Sequence, residues 1–169
     1  IHGDNTGLIL PSVIAPVQTV IVPILFGDED ENKAIRQRCE ELRDRLEANG
    51  VDVKIDDSDK RPGWKYNQWE MKGVPSRVEI GPRDLEKDNC VVATRFGEKT
   101  TQDFDDAVGA VQDALDSVDE QIEERAEQYF DDNTVYTEDY DELCETLEDF
   151  EGFVKAPFYD IEGDEAASY

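Results

Sequence analysis

VQTVIVPILFGDEDENKAIRQRCEELRDRLEANGVDVKID, residues 17–56, holds the pattern from which the rest of the chain is read. Residues 17–26 are a nearly unbroken apolar run rich in β-branched side chains, as a strand buried on both faces requires. Residues 27–30 are a polar turn. Ile35, Cys39, Leu42 and Leu46 then recur at steps of four, three and four. That spacing puts them on one face of a helix between residues 32 and 49. Gly50 is a helix stop. Residues 51–56 alternate apolar and polar strictly, which predicts a second strand. A strand–helix–strand unit of this kind crosses over right-handed and leaves its strands parallel.

Further along, Pro62 suits the first turn of a short helix over residues 62–72, closed by Gly73. That helix carries Trp64, Tyr66 and Trp69. Residues 75–80 predict a third strand, and Gly81-Pro82-Arg83-Asp84 a turn. Residues 89–96 predict a fourth strand, antiparallel to the third because only a short loop joins them. Thr100-x-x-Asp103 resembles a capping box ahead of a long helix. In that helix Phe104, Val108, Val111, Leu115, Val118 and Ile122 step by four and three. The order β-α-β-α-β-β-α over residues 17–118 defines a layered α/β domain. The long helix is expected to reach residue 131, with a turn at Asn133-Thr134. A second amphipathic stretch follows with Tyr140, Leu143, Cys144, Leu147 and Phe150. One short strand is expected over residues 152–158, then a loose acidic tail over residues 160–168.

The chain has 169 residues and 38% hydrophobic side chains, enough for one domain and an appendage. No apolar run approaches the ~20 residues of a membrane span. Asp4, Pro11, Pro16 and Pro23 interrupt the apolar start, and no basic segment precedes it, so no signal peptide is expected. The opening at Ile1 reads as the start of an excised piece. Cys39, Cys90 and Cys144 are scattered, and His2 is the one histidine. This argues against a disulfide framework, a Cys/His zinc site and a His-assisted nucleophile. A reducing, cytoplasmic setting with buried thiols is expected. No phosphate-cradling glycine loop is present, which counts against a nucleotide-binding enzyme. Asp56-Asp57-x-Asp59 lacks the glycine and terminal glutamate of a calcium loop and reads as an acidic strand exit.

The charge is lopsided, with 43 acidic residues against 17 basic, net −26. Residues 100–169 hold 24 acidic and 2 basic side chains, whereas residues 60–99 hold 9 basic and 6 acidic. So acidic a chain repels polyanions. A local island of reversed sign is therefore either chance clustering on a solvated face or the place where a polyanion binds. The acidic residues alternate with apolar ones at helical spacing. That favours an acidic solvent face on folded helices, as in a high-salt cytoplasm, over a disordered tail. The stretch PGWKYNQWEMKG, residues 62–73, sets three aromatics among lysines beside the basic island. Single-stranded nucleic acid is bound by such ring faces and cations. Taken alone, Trp64 and Trp69 read as core residues ahead of base-stacking platforms.

The run PGWKYNQWEMKGVPSRVEIGPRDLE, residues 62–86, resembles the anticodon-binding domain of archaeal/eukaryotic-type prolyl-tRNA synthetases. HGDNTGLILPSVIAPVQTVIVPI, residues 2–24, is similar to that family's exit from its class II catalytic core. RAEQYFDDNTVYTEDYDELCETLEDFEGFVKAPF, residues 125–158, resembles the start of its C-terminal extension. The resemblance implies a mixed sheet of about five strands with three flanking helices, plus a mainly helical acidic extension. It implies three parts: a connector over residues 1–16, the anticodon domain over residues 17–118, and the extension over residues 119–169. With the acid excess, it suggests a halophilic archaeal member.

The implied partner is proline tRNA, whose anticodon ends in two guanines. A guanine Watson–Crick edge offers two donors beside one acceptor. Glu79 is positioned to accept from both donors, with Arg83 or Arg77 donating to O6 or N7. A cross-strand ion pair between Glu79 and Arg77 is the competing reading. Arg95 and Lys99 are candidate phosphate contacts, with Lys65 and Lys72 as weaker ones and Trp64 as a candidate stacking ring. The family's catalytic motifs are absent from this chain. ATP and magnesium therefore belong to the parent enzyme, as do the catalytic domain and the homodimer contacts, and this chain alone is expected to be a monomer with no cofactor. The cysteines of the family's zinc module do not follow the GFVKA strand, so that module is expected to be reduced or missing. Tyr169 matches the family's terminal tyrosine, although the reduced module puts its role in question. The competing function is an acidic protein-interaction domain or a nucleic-acid mimic.

Overall fold

The computed structural model describes residues 3–157. It opens with a small antiparallel hairpin, β1 (Gly3–Asp4) and β2 (Gly7–Leu8), that the sequence did not announce. The central apolar run becomes β3 (Thr19–Pro23), buried at all five positions. Helix α1 (Glu29–Ala48) follows, then β4 (Val53–Ile55), α2 (Pro62–Met71), β5 (Ser76–Ile80), α3 (Pro82–Lys87), β6 (Asn89–Thr94), β7 (Lys99–Asp103) and α4 (Ala107–Asp132). The five longer strands form one mixed sheet in the order β4-β3-β5-β6-β7. β3 runs parallel to both β4 and β5, and the other pairs are antiparallel. The layered α/β expectation, the parallel crossover and the antiparallel β5–β6 pair all hold.

Alternation along the strands sorts side chains onto two faces. Ile21, Val78, Ile80, Cys90 and Val92 meet Ile35, Cys39, Leu42 and Leu46 of α1 and Val111 and Leu115 of α4 in the larger core. On the other face, Trp69 of α2 covers Val20, Val22 and Val74. Cys39 and Cys90 are buried and Cys144 is half-buried. Burial pushes the Cys39 thiol up to about 12 and the Cys90 thiol up to about 11.

Three local expectations are corrected. Helix α1 starts at Glu29, ahead of its first apolar position. Asp28 caps it by accepting from Glu31 N–H at 2.9 Å, and the negative charges of Glu29, Asp30 and Glu31 complement the positive end of the helix dipole. The turn over residues 81–84 is the entry to α3. There Asp84 accepts from Gly81 N–H at 2.9 Å, and Pro82 occupies the first helical turn. The capping box at Thr100-x-x-Asp103 is instead the strand β7, paired over five rungs with β6. Helix α4 starts only after a short 3-10 turn at Phe104–Asp106. Hydroxyl side chains suit a strand as well as a cap, and the hairpin pairing decides between them.

The hairpin β1–β2 lies against the end of α2. Gly7 has φ +147°, and a Cβ there would come within 2.3 Å of Met71 Cα, so only glycine fits. Gly73, at φ +76°, ends α2 in the left-handed region and packs against Leu8 and Leu10.

The chain divides inside α4 into a unit ending at Ile122 and one beginning at Glu123. The second unit holds the last turns of α4, β8 (Thr134–Tyr136), α5 (Tyr140–Asp149) and β9 (Phe153–Lys155). Asp139 caps α5, accepting from Asp141 and Glu142 N–H groups. β8 and β9 pair in parallel, and the rings of Phe130 and Phe153 meet at 5.0 Å. β8 occupies what read as a turn, because three residues are too few to display an alternation. The acidic side chains of α5, and all those of α4 except Asp119, are exposed. The expected acidic tail and Tyr169 lie outside the described residues.

Candidate nucleic-acid interface

Register builds the site. Arg77 and Glu79 stand on the α2 face of β5, opposite Val20 and Val22 of β3. On the other side Arg77 pairs with Ala93, and Ala93 with Lys99 on β7. The small Ala93 leaves the Lys99 side chain room to reach back across the sheet, where its Nζ donates to Glu79 Oε1 at 2.9 Å. Arg77 Nε donates to the same oxygen at 3.0 Å, and its Nη1 to Glu70 Oε1 at 3.2 Å. The Arg77 guanidinium lies 4.0 Å from the centre of the Tyr66 ring, and the Tyr66 hydroxyl hydrogen-bonds Glu79. Arg77 and Glu79 are only 9% and 8% exposed, so each must be satisfied inside the protein, and each is. Lys99 is exposed.

Burial by itself raises the Glu79 carboxyl. Hydrogen bonds from Lys99, Tyr66 and Arg77 outweigh that and hold it below its ordinary value. Burial, reinforced by the Glu79 charge, pushes the Tyr66 hydroxyl up. Hydrogen bonds from Arg95 and Thr6 hold Asp4 well below the carboxylate range. Asp56 also sits low, because bonds from Ser58 and Trp69 outweigh its burial. In each case the folded carboxyl binds its proton less readily than the unfolded one. The stability it contributes is therefore present above the ordinary carboxylate range and is lost as pH falls through the folded value. Acid relieves net repulsion in so anionic a chain, which works the other way. The comparison that isolates the carboxyls is Tm against pH for the chain and for Asp4→Asn. Near neutrality Asp4→Asn should melt lower; the gap should begin to narrow only below about pH 4 and should close only as pH falls well below the carboxylate range, through the folded value of Asp4.

The eight expected site residues fall into four groups. Glu79, Arg77 and Lys99 form one cluster. The Arg77–Glu79 pair exists, but it runs along a single strand at i, i+2 and not across strands. Arg83 is exposed on α3 and makes no ion pair among the described residues. Lys65 and Arg95 are not surface cations, which corrects their reading as phosphate contacts. Lys65 is 2% exposed and donates to Asp56 O at 2.7 Å. Arg95 is 8% exposed, and hydrogen bonds to Asp4 and to Leu8 O occupy its guanidinium. Trp64 and Lys72 are exposed on the far flank of α2, and Lys72 Nζ rests 4.2 Å from the Trp69 ring centre. Trp69 is core, with Nε1 donating to Asp56 Oδ2 at 2.7 Å. Sequence reasoning missed Tyr66 as a support of Glu79 and Glu70 as a partner of Arg77. Their i, i+4 spacing on α2 was the available signal.

Among the described residues no cluster of His, Cys, Asp or Glu is placed to hold a metal ion, and no helix is long and apolar enough to cross a membrane.

The charged cluster thus sits on the α2 face of a mixed five-stranded sheet, beside the ring of Tyr66. Residues 14–114 match the family described as the anticodon binding domain, and the chain belongs to that family. Its relatives narrow the comparison further. It is 44% identical over 157 residues to the proline–tRNA ligase of Clostridium botulinum strain Langeland. It is 42% identical over 149 residues to that of Methanocorpusculum labreanum, and 38% over 156 residues to that of Lachnospira eligens. These alignments cover 92%, 88% and 92% of this chain and 32%, 31% and 32% of the relatives. The chain thus spans about a third of the length of the relatives it matches.

Proposed function

We propose that the chain is the anticodon-reading portion of a proline–tRNA ligase of archaeal/eukaryotic type, working in a salt-rich cytoplasm. The observation that carries the reading is the Glu79 cluster. A carboxylate held ionised by Lys99, Arg77 and Tyr66 is an acceptor aimed from a sheet face. The N1–H and N2–H groups of an unpaired guanine are the donors it suits. Arg77 holds Glu79 in place. Lys99, the exposed member, moves to the guanine O6 or to a phosphate when the base takes its place on Glu79. Arg83, four residues beyond Glu79, supplies a further solvent-facing cation.

On this reading residues 1–16 connect to a class II catalytic core, and residues 119–169 belong to an acidic extension. ATP with magnesium, prolyl transfer and the homodimer contacts belong to the rest of the enzyme. The acid surface fits high salt, where phosphate contacts weaken and base-edge bonds must dominate.

The test is filter binding of proline tRNA against an anticodon-swapped version. Preference for the native anticodon should persist in molar KCl. Glu79→Gln should cut it by about tenfold to a hundredfold, as expected for loss of a bidentate base contact of ~1–3 kcal/mol. Equal binding of the two tRNAs by the unaltered chain would sink the reading. Capture of a basic protein instead would favour the protein-interaction alternative.

A further inference from the structure

β3 and β4 send their helices to opposite faces of the sheet, α1 onto the larger core and α2 onto Val20 and Val22. The loops leaving the two strands therefore diverge. A crevice opens beyond their carboxyl ends, at the position where open α/β sheets take ligands. It measures about 270 Å³ and is walled by Phe26, Arg36, Lys60 and Arg61, with Asp57 and Asp59 on the same rim. A second cleft of about 270 Å³ lies on the other side of the same β4–α2 loop, walled by Trp64, Trp69, Lys54 and Lys72, with Asp56 and Asp57 on its loop side.

Two features set this region apart. Phe26 is 77% exposed and Trp64 48%, one aromatic ring beside each cleft. Around them Arg36, Lys60 and Arg61 are exposed and form no ion pair among the described residues, although acids outnumber bases more than twofold in the chain. Lys60 Nζ lies 5.6 Å from the centre of the Trp64 ring. A bare apolar groove would suit a protein helix. Separate ring faces, each flanked by cations, suit bases joined by phosphates.

We propose that this surface is a second RNA site, distinct from the Glu79 cluster, on which unpaired bases stack against Trp64 and Phe26 while Lys60 and Arg61 meet the intervening phosphates. Stacking and phosphate contacts are indifferent to base identity, so the site adds grip without adding selectivity. The two sites lie on opposite flanks of α2, whose diameter is about 10–12 Å, a span that a few nucleotides of extended strand cover. The inference rests on the proposed function only in naming a tRNA loop as the natural strand.

The experiment uses the whole chain and hexauridylate, which has no guanine to read. Fluorescence quenching reports on the exposed Trp64, and anisotropy of a labelled hexamer reports binding. The hexamer should bind and quench. Trp64→Phe should keep the binding and lose most of the quenching. Trp64→Ala and the double variant Lys60→Ala/Arg61→Ala should weaken binding about tenfold or more. Glu79→Gln should leave it unchanged. All these side chains except Glu79 are solvent-facing, and unchanged Tm values will confirm intact folds. Absence of hexamer binding, equal binding by Trp64→Ala and the double variant, or loss of binding in Glu79→Gln would each overturn the proposal. With tRNA, the Lys60/Arg61 variant should weaken native and swapped anticodons by the same factor, and a changed ratio would also overturn it. Hexamer binding without anticodon preference would support this site while refuting the guanine reading, so the two failures are distinguishable.

Discussion

Arg77→Met should lower the stability of the fold by about 3–5 kcal/mol, the cost of breaking a buried ion pair from one side. Arg77 is the centre of its cluster. It bonds Glu79 at 3.0 Å and Glu70 at 3.2 Å and stacks on Tyr66. Without it two carboxylates face one ammonium, that of Lys99, and Glu79 remains 8% exposed. The double variant Arg77→Met/Glu79→Leu should recover much of the loss, because a buried pair replaced from both sides by apolar groups of similar volume is often neutral. Urea unfolding of the single and double variants measures both. If Arg77→Met unfolds at the parent midpoint, the cluster contributes nothing to holding the sheet. If the double variant is no better than the single, the loss comes from packing and not from an orphaned charge. The preference for the native anticodon should still be lost in the double variant, since its guanine acceptor is gone. That separates stability from recognition within one cluster.

Phe104→Ala should cost about 3–5 kcal/mol. Phe104 is 1% exposed and belongs to the larger core. Its ring is also capped by cations. The Arg38 guanidinium lies 3.6 Å from its centre and that of Arg45 5.1 Å. Arg38 in turn pairs with Asp88 and Glu41, and Arg45 donates to the carbonyls of Phe104 and Asp105. Removing the ring leaves a cavity and strips two arginines of the surface they rest on. Phe104→Leu keeps most of the volume but not the ring face, so it should lose markedly less. A Leu variant as unstable as the Ala variant would mean that the cation–ring contacts outweigh packing.

These two sites show what a sequence reading reaches. Phe104 was legible as a core residue from its four-and-three spacing with Val108 and Val111, yet it was assigned to the first turn of a helix. It sits in a 3-10 turn after β7, where Asp88 O accepts its N–H. Periodicity reports which side chains are buried, and it does not report where a backbone changes its hydrogen-bonding partner. Arg77 and Glu79 were legible as a polar pair in a strand. Their alternation with Val78 and Ile80 predicts a common face. That this face is covered by Tyr66 and reached by Lys99 depends on α2 lying over β5 and on Ala93 leaving a gap, both long-range facts. Lys65 and Arg95 were misread for the same reason. A charged residue in a basic stretch is surface by default, and only a carbonyl or carboxylate brought from elsewhere can satisfy it inside.

From its residues alone this chain declares the β–α–β crossover, the pairing sense of β5 with β6, the helical faces that carry its acid, and the signature of its family. These follow from local periodicity, turn chemistry and connection length, which act over a few residues and leave their mark in order along the chain. Tertiary structure decided which cations are free. It consigned Lys65 and Arg95 to the interior, gathered Arg77, Glu79 and Lys99 around Tyr66, and left Lys60, Arg61 and Arg83 in solvent. Burial and pairing of a charge depend on what packs against it, and the groups that do so here lie up to 91 residues away.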